Sequence, residues 1–232
     1  MWRVTTKRIL VLAGRGRYED PWHDHAATSH LLARILGEPG AGGDPDAVVQ
    51  VRSTWRDALD DLDAADLLVV NSGTGRPDPG FDGSDDEWRA FHERLAAWAR
   101  AGGAVLALHQ AANTFADAPA WEDVLGGRWV PGTSMHPPIG DATFRLAPGH
   151  AITDGLAVVE AFDERYCFLN VAGSAQVLGT VADDGGAAHP VLWVQEAHGG
   201  RTVYSALGHG VRSFESPTHR ELLRRAAAWL LA

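Results

Sequence analysis

The stretch Gly102-Gly103-Ala104-Val105-Leu106-Ala107-Leu108-His109-Gln110-Ala111-Ala112-Asn113 constrains the fold more than any other. The glycine pair ends a helix, and residues 104–108 form an apolar run long enough for one buried strand. His109 and Gln110 break the run, and small residues lead toward another helix. A strand turning sharply into a helix lifts the corner residue above the carboxyl edge of a sheet. In α/β proteins that edge is where ligands bind. His109 is therefore the first candidate site residue.

The flanking chain predicts the rest of an α/β fold. Residues 8–13, 47–51 and 67–70 are strand-like runs. Thr28, Leu31, Leu32, Ile35 and Leu36 recur at helical spacing, and Gly37, Pro39, Gly40, Gly42 and Gly43 mark a loop. Residues 57–66 are a short acidic helix or turn. Ser84 and Glu87 form a capping box for a helix carrying Trp88, Phe91, Leu95 and Trp98. This alternation predicts a parallel sheet covered by helices. Beyond it, a short helix at 121–125 precedes strand candidates at 142–146, 158–162, 176–181, 191–194 and 202–206. No helices separate these, so they read as an antiparallel extension. Ser216-Pro217, or Thr218 with Glu221, opens a last helix bearing Leu222, Leu223, Ala226, Trp229 and Leu230.

Composition narrows the chemistry. With 232 residues, 45% of them hydrophobic, the chain can bury a sizeable core, and we read residues 1–232 as one domain. A formal net charge of −10 argues against nucleic acid or an anionic membrane surface as partner. No segment reaches membrane-span length, and no apolar stretch of signal-peptide length precedes the first strand. Cys167 is the single cysteine, which excludes an intrachain disulfide and a Cys-rich zinc site and suits a reducing cytoplasm. The only lysine, Lys7, precedes the first strand, so no Schiff-base or phosphate-loop lysine is expected in a cleft. No nucleotide cofactor is expected either. Gly14-Arg15-Gly16 opens a dinucleotide fingerprint, but Glu19 stands where the third glycine belongs.

The candidate site comes from topology. His23 and His25 follow the first strand, His109 the central strand and His209 the last. Parallel neighbouring strands would bring these imidazoles to one crevice. His136, Asp163, Glu164 and Tyr166 lie in irregular segments able to fold over it. Imidazoles with one carboxylate suit zinc or another divalent ion. The same groups serve as acid and base near neutral pH. If Asp24 caps the first helix, His23 projects from the loop and His25 begins the first turn; both stay open as the loop histidine. Among the other histidines, His92, His198 and His219 read as solvated, and His30 as packing or surface. His150 reads as a turn residue and His189 as a loop residue. Ser72, leaving the third strand, is a candidate nucleophile without a partner by spacing. Trp22, Trp121 and Trp129 sit in loops near the crevice, where sugar rings could stack on them.

Six segments together carry a family resemblance. They are 102–109, Leu125-Gly126-Gly127-Arg128-Trp129 with His136-Pro137, 149–156, Asp163-Glu164-Arg165-Tyr166, Pro190-Val191-Leu192-Trp193, and 200–209. In this order they resemble the ThuA-like (trehalose-utilisation) family over nearly the whole chain. The resemblance implies a fold similar to class I glutamine amidotransferases, a flavodoxin-like three-layer α/β/α sandwich. Those enzymes carry a nucleophilic cysteine at the elbow and a histidine after a later strand. Here His109 occupies the elbow and His209 matches the later position in kind, so glutamine hydrolysis through a thioester has no nucleophile. The loop after the first strand departs from the family's usual His-Asp pattern by offering both His23 and His25. The family is linked to disaccharide metabolism, including keto forms of trehalose and related sugars.

The sequence thus predicts a cytoplasmic protein of carbohydrate metabolism with a histidine-lined pocket. His109, His209 and Glu164 are its expected catalytic groups. Trp22, His136, Tyr166 and Trp129 are expected to bind a small carbohydrate. His23, His109 and His209 are expected to hold a divalent metal, zinc first. A homodimer is the base-rate expectation. The alternatives are a non-catalytic sugar-binding or assembly module and a hydrolase built on Ser72.

Overall fold

Apolar runs become strands and amphipathic stretches become helices in the order the spacing predicts. The computed structural model describes residues 6–38 and 47–232. Of the glycine loop expected at Gly37, Pro39, Gly40, Gly42 and Gly43, Gly37 instead closes the first helix, and the other four lie outside the described residues. In chain order the elements are β1 (Arg8–Ala13), α1 (His25–Gly37), β2 (Val48–Ser53), β3 (Leu67–Asn71), α2 (Pro79–Asp82), α3 (Asp85–Arg100) and β4 (Ala104–Leu108). There follow α4 (Pro119–Leu125), β5 (Gly127–Arg128), β6 (Gly140–Leu146), β7 (Val158–Asp163), β8 (Asn170–Val171), β9 (Gln176–Ala182), β10 (Ala188–Gln195), β11 (Arg201–Ser205) and α5 (Pro217–Leu231). The acidic stretch 57–66 forms turns and a single 3-10 turn at Leu62–Ala64.

Nine strands form one mixed sheet in the order β2-β1-β3-β4-β11-β10-β9-β6-β7. The first five are parallel to one another, and every pairing from β11 outward is antiparallel. The short strands β5 and β8 pair separately. The sheet is therefore an α/β sheet with the expected antiparallel extension. β1, β3 and β4 lie at the buried centre, while β2 is an exposed edge. Val105, Leu106 and Leu108 are wholly buried. Burial of each such side chain contributes about 1.5–3 kcal/mol, which fixes β4 before any site geometry is considered.

The helices begin and end on the signals in the sequence. Asp24 caps α1 through Ala27 N, and α1 packs on β1, β2 and α5. Ser84 and Glu87 form the capping box of α3, which buries Trp88, Phe91 and Leu95. Gly102, at φ 108°, takes the left-handed turn that ends it. Ser216 caps α5 through His219 N, with Pro217 in the first turn, so the first of the two expected starts is the one used.

Four reversals from β11 leave β7 pointing the same way as β11, so its carboxyl end opens on the same edge. In a flat sheet four spacings would separate the two strands by roughly 19 Å. Yet Asp163, the last residue of β7, accepts a hydrogen bond from Gly208 N at 2.7 Å, just beyond β11. The antiparallel half therefore curls back over the carboxyl edge of the parallel half. That curl is what builds the site.

Candidate metal centre

The chain leaves β4 at His109, which has φ 45° and opens a single 3-10 turn ending at Ala112. A β-carbon in this left-handed region costs of order 1–3 kcal/mol and needs its surroundings to hold it. β11, the parallel neighbour of β4, does so. Tyr204 OH donates to the His109 carbonyl at 2.9 Å, and His109 Nδ1–H donates to Ala206 O at 2.7 Å. The second bond fixes the tautomer, so Nε2 presents its lone pair to the crevice. The His109 side chain is 2% exposed.

His23 meets it from the loop before α1. Its Nδ1 lies 2.6 Å from Asp20 Oδ1, which also accepts from Trp22 N at 3.0 Å. A carboxylate at Nδ1 makes that nitrogen the donor and turns the Nε2 lone pair to the crevice, where the Gln110 amide nitrogen lies 3.4 Å away. The two Nε2 atoms stand 3.1 Å apart. Two lone pairs facing at this distance repel unless a cation or a shared proton lies between them. His25 begins α1 behind this pair, stacked on His23 with ring centroids 5.8 Å apart. Of the two loop histidines, then, His23 is the one brought to His109.

The curled half supplies the remaining groups. Glu164 Oε2 lies 3.5 Å from His109 Nε2, and Oε1 lies 3.2 Å from His209 Nδ1. His209 Nδ1 is buried and lacks the alignment for a hydrogen bond to that carboxylate. One ligand atom from each of His23, His109, Glu164 and His209 falls within 4.8 Å of every other, so the four could hold a metal ion. Asp163 sets the positions of two of them. Its Oδ1 accepts from Glu164 N at 2.9 Å and His209 N at 3.2 Å, while Oδ2 accepts from Gly208 N and the Ser213 hydroxyl. Ser213 in turn accepts from His219 Nδ1 at 2.9 Å.

The electrostatics follow from burial and contact. Burial pushes Glu164 up, but His109 and His209 outweigh it and hold the carboxyl well below the ordinary range. Asp20 is likewise pushed up by burial and pulled lower by His23 and His25, with a net fall. The Glu164 carboxylate raises His209 against its own burial. Burial lowers His23 despite Asp20. It also drives the Tyr166 phenol well above its usual value, so that group is a neutral donor.

Tyr166 OH lies 3.1 Å from His109 Nε2. Trp129 packs edge-on against Tyr166 at 4.9 Å, and His136 stacks near it with Nε2 3.5 Å from Glu164 Oε1. Three of the four residues expected to bind substrate therefore border the cluster. Trp22 does not. Its indole is 76% exposed and packs on none of the site's rings, because Asp20 holds its backbone rather than its side chain. Trp121 is also displaced from the crevice: it is buried beneath the corner, donating from Nε1 to Ala111 O at 2.9 Å. Ser72 is fully buried and bonds Thr54 at 2.6 Å, with no base beside it among the described residues.

Four other histidines differ from expectation, one of them His198, whose two ring nitrogens are buried, not solvated. His219 is wholly buried behind Ser213, not solvated. His92 is largely buried and reaches Tyr18 OH at 2.7 Å. His189 lies within β10, bonded to Asp183, not in a loop. His150 does fix a turn, accepting from Ile152 N. Asp20 and Tyr204 had no role in the sequence reading. Asp20, three residues before His23, was the more accessible of the two, since that spacing suits a carboxylate holding a histidine.

Known structures share the fold. A ThuA-like protein from Parabacteroides merdae ATCC 43184 superposes with TM-score 0.76 at 17% identity, over 98% of this chain and 91% of that one. A second, from Bacteroides uniformis ATCC 8492, gives TM-score 0.73 at 15% identity, over 99% and 93%. A β-galactosidase from Rahnella sp. R3 gives TM-score 0.62 at 16% identity, with 95% of this chain matching 31% of that one. No curated protein matches in sequence. Among the described residues, no helix is long and apolar enough to cross a membrane. The trehalose-utilisation family model, ThuA, matches residues 8–230, and the chain belongs to that family.

Proposed function

We propose that the chain is a cytoplasmic, divalent-metal enzyme of carbohydrate metabolism, acting on a sugar or keto-sugar. Zinc is our choice of ion, because three imidazoles and one carboxylate match its preferred donors. His23, His109, His209 and Glu164 are the groups that would hold it. The observation carrying this reading is the pair of Nε2 lone pairs 3.1 Å apart, each fixed by an acceptor on the far side of its ring. When bound, the ion supplies Lewis acidity to a substrate oxygen.

The chain's own residues do the rest. Asp20 and the Ala206 carbonyl hold two imidazoles in their ligand tautomers. Asp163 holds the backbone of Glu164 and His209. Tyr166 stays neutral and donates a hydrogen bond. His136 stands at the exposed rim, with Nε2 3.5 Å from Glu164 Oε1. Trp129 and Tyr166 give the sugar's apolar face a wall. The family's link to trehalose utilisation and the chain's net charge of −10 support a small neutral substrate.

Elemental analysis of the purified protein tests the reading first. About one divalent ion per chain is expected, lost in His109→Ala, with cobalt substitution giving visible absorption bands. Metal-loaded protein should then turn over keto-disaccharides. A protein that takes up no divalent ion after dialysis against zinc or cobalt overturns the metal reading. Sugar binding that survives chelator and His109→Ala, without product, makes it a binding module instead.

A further inference from the structure

Gln110 leaves the same corner as His109 and is half-buried beside it. Its backbone carbonyl accepts from Asn113 N at 2.8 Å and Thr114 N at 2.9 Å, which closes the turn and fixes where the side chain starts. The side-chain amide is held at both ends. Oε1 accepts from Asn113 Nδ2 at 3.3 Å, and Nε2 stands 3.4 Å from His23 Nε2. Asn113 is itself tied to the loop after β3, since the Thr74 hydroxyl donates to its carbonyl.

The His23 end decides which way round the amide lies. Asp20 takes the Nδ1 proton, and burial disfavours a second proton on that ring, so His23 Nε2 accepts. An amide oxygen there would face a lone pair. The nitrogen is therefore the atom turned to the crevice, and it carries donors only. Its bond to His23 is long against the usual ~2.9–3.0 Å, and so is weak.

Tyr166 stands in the same relation to the other imidazole, its hydroxyl 3.1 Å from His109 Nε2. Each of these two imidazoles thus has one neutral donor resting on the lone pair that a metal ligand must free. With the centre loaded, both lone pairs are coordinated and both donors lose their acceptors. Among the described residues the Gln110 amide nitrogen has no other acceptor. A donor left unpaired in a part-buried crevice is costly, and an oxygen of a bound ligand relieves it. Asn113 keeps the amide from turning away.

We infer that Gln110 is a ligand-binding residue of this centre, its amide nitrogen donating to a carbonyl oxygen of the ligand. The assignment rests on the centre holding a divalent ion.

Gln110→Leu removes the donors and keeps the bulk. Two titrations of the whole protein read the result: cobalt into metal-free protein, and acetohydroxamate, a small carbonyl ligand, into cobalt-loaded protein, both followed by the visible cobalt bands. Loss of the weak bond on His23 should leave cobalt binding equal or up to about fivefold tighter. Acetohydroxamate should bind about tenfold more weakly. A residue that merely props His23 would weaken both. Asn113→Asp should turn the amide oxygen to the crevice and weaken acetohydroxamate by about threefold or more, which keeps the test decisive if Gln110→Leu fails to fold. A parent that binds no cobalt overturns the metal centre and this assignment with it. A parent that binds cobalt overturns the assignment alone if its bands do not respond to acetohydroxamate, if a folded variant binds acetohydroxamate like the parent, or if Gln110→Leu weakens cobalt as much as acetohydroxamate.

Discussion

Replacing Asp163 with Asn tests whether this buried carboxylate aligns the centre. The side chain is 1% exposed and satisfies four donors, two on each oxygen. Asparagine keeps one acceptor and turns the other oxygen into an NH2 group facing donors. The least costly orientation puts that group on the Oδ2 side, where Ser213 can rotate its hydroxyl and accept. Gly208 N is then stranded, and the bonds to Glu164 N and His209 N lose their charge. A hydrogen bond to a charged group is worth about 1.5–3 kcal/mol, and a stranded buried donor costs about 1–3 kcal/mol. The net loss should be about 2–4 kcal/mol after relaxation. For a chain of this length, that lowers Tm by roughly 5–15 °C. Thermal denaturation of metal-free protein gives the stability, and cobalt titration gives the affinity. Cobalt should bind about 10–100-fold more weakly, because the backbone of two ligands is released. A variant that melts within about 2 °C of the parent and binds cobalt equally refutes the role assigned to Asp163.

Other perturbations reach the same centre by different routes. Gly73→Ala would place a β-carbon 2.5 Å from Asp20 Oδ2 and 2.9 Å from His25 Nε2, so Asp20 must move. Cobalt affinity should fall about tenfold while far-ultraviolet dichroism keeps its shape. Tyr204→Phe removes the bond to the His109 carbonyl and should cost about 1–2 kcal/mol in denaturant titration. In metal-free protein the raised pKa of His209 gives stability that is full below 6.5 and fades as pH rises through its native value. His209→Ala should flatten that alkaline limb in a series of melts. The depressed pKa of Glu164 works in the other direction: its contribution is full above 4.5 and is lost as pH falls through its native value. Glu164→Gln should therefore weaken the acid dependence of Tm.

The parallel half of the sheet was legible because its strands are short apolar runs punctuated by caps and glycines. β4 and the corner at His109 are the clearest case, and Asp24 as N-cap placed His23 in the loop and His25 in the first turn while leaving the choice between them open. The antiparallel half was legible only as strands. Nothing in their spacing says that β7 ends the sheet order and curls back to bring Glu164 to His109. The two-residue strands β5 and β8 were missed because so short a pairing leaves no periodicity. His92 and His219 were misread because each occupies a helix whose own pattern is polar around it. Their partners, Tyr18 and Ser213, come from other segments. Trp22 erred the other way, since proximity in the chain to His23 does not aim its ring.

The centre joins groups far apart along the chain. His23 and His109 are separated by 86 positions, and His109 and Ala206 by 97. No local hairpin or helix can assemble these four groups, and long-range closure is slow compared with local structure. A chain still being synthesised lacks the complete set until His209 has been added, by which time both halves of the sheet have been made. Acquisition of an ion would then mark a completed sheet: full four-group binding requires a chain extended past His209, whereas products cut before it lack one of the groups outright.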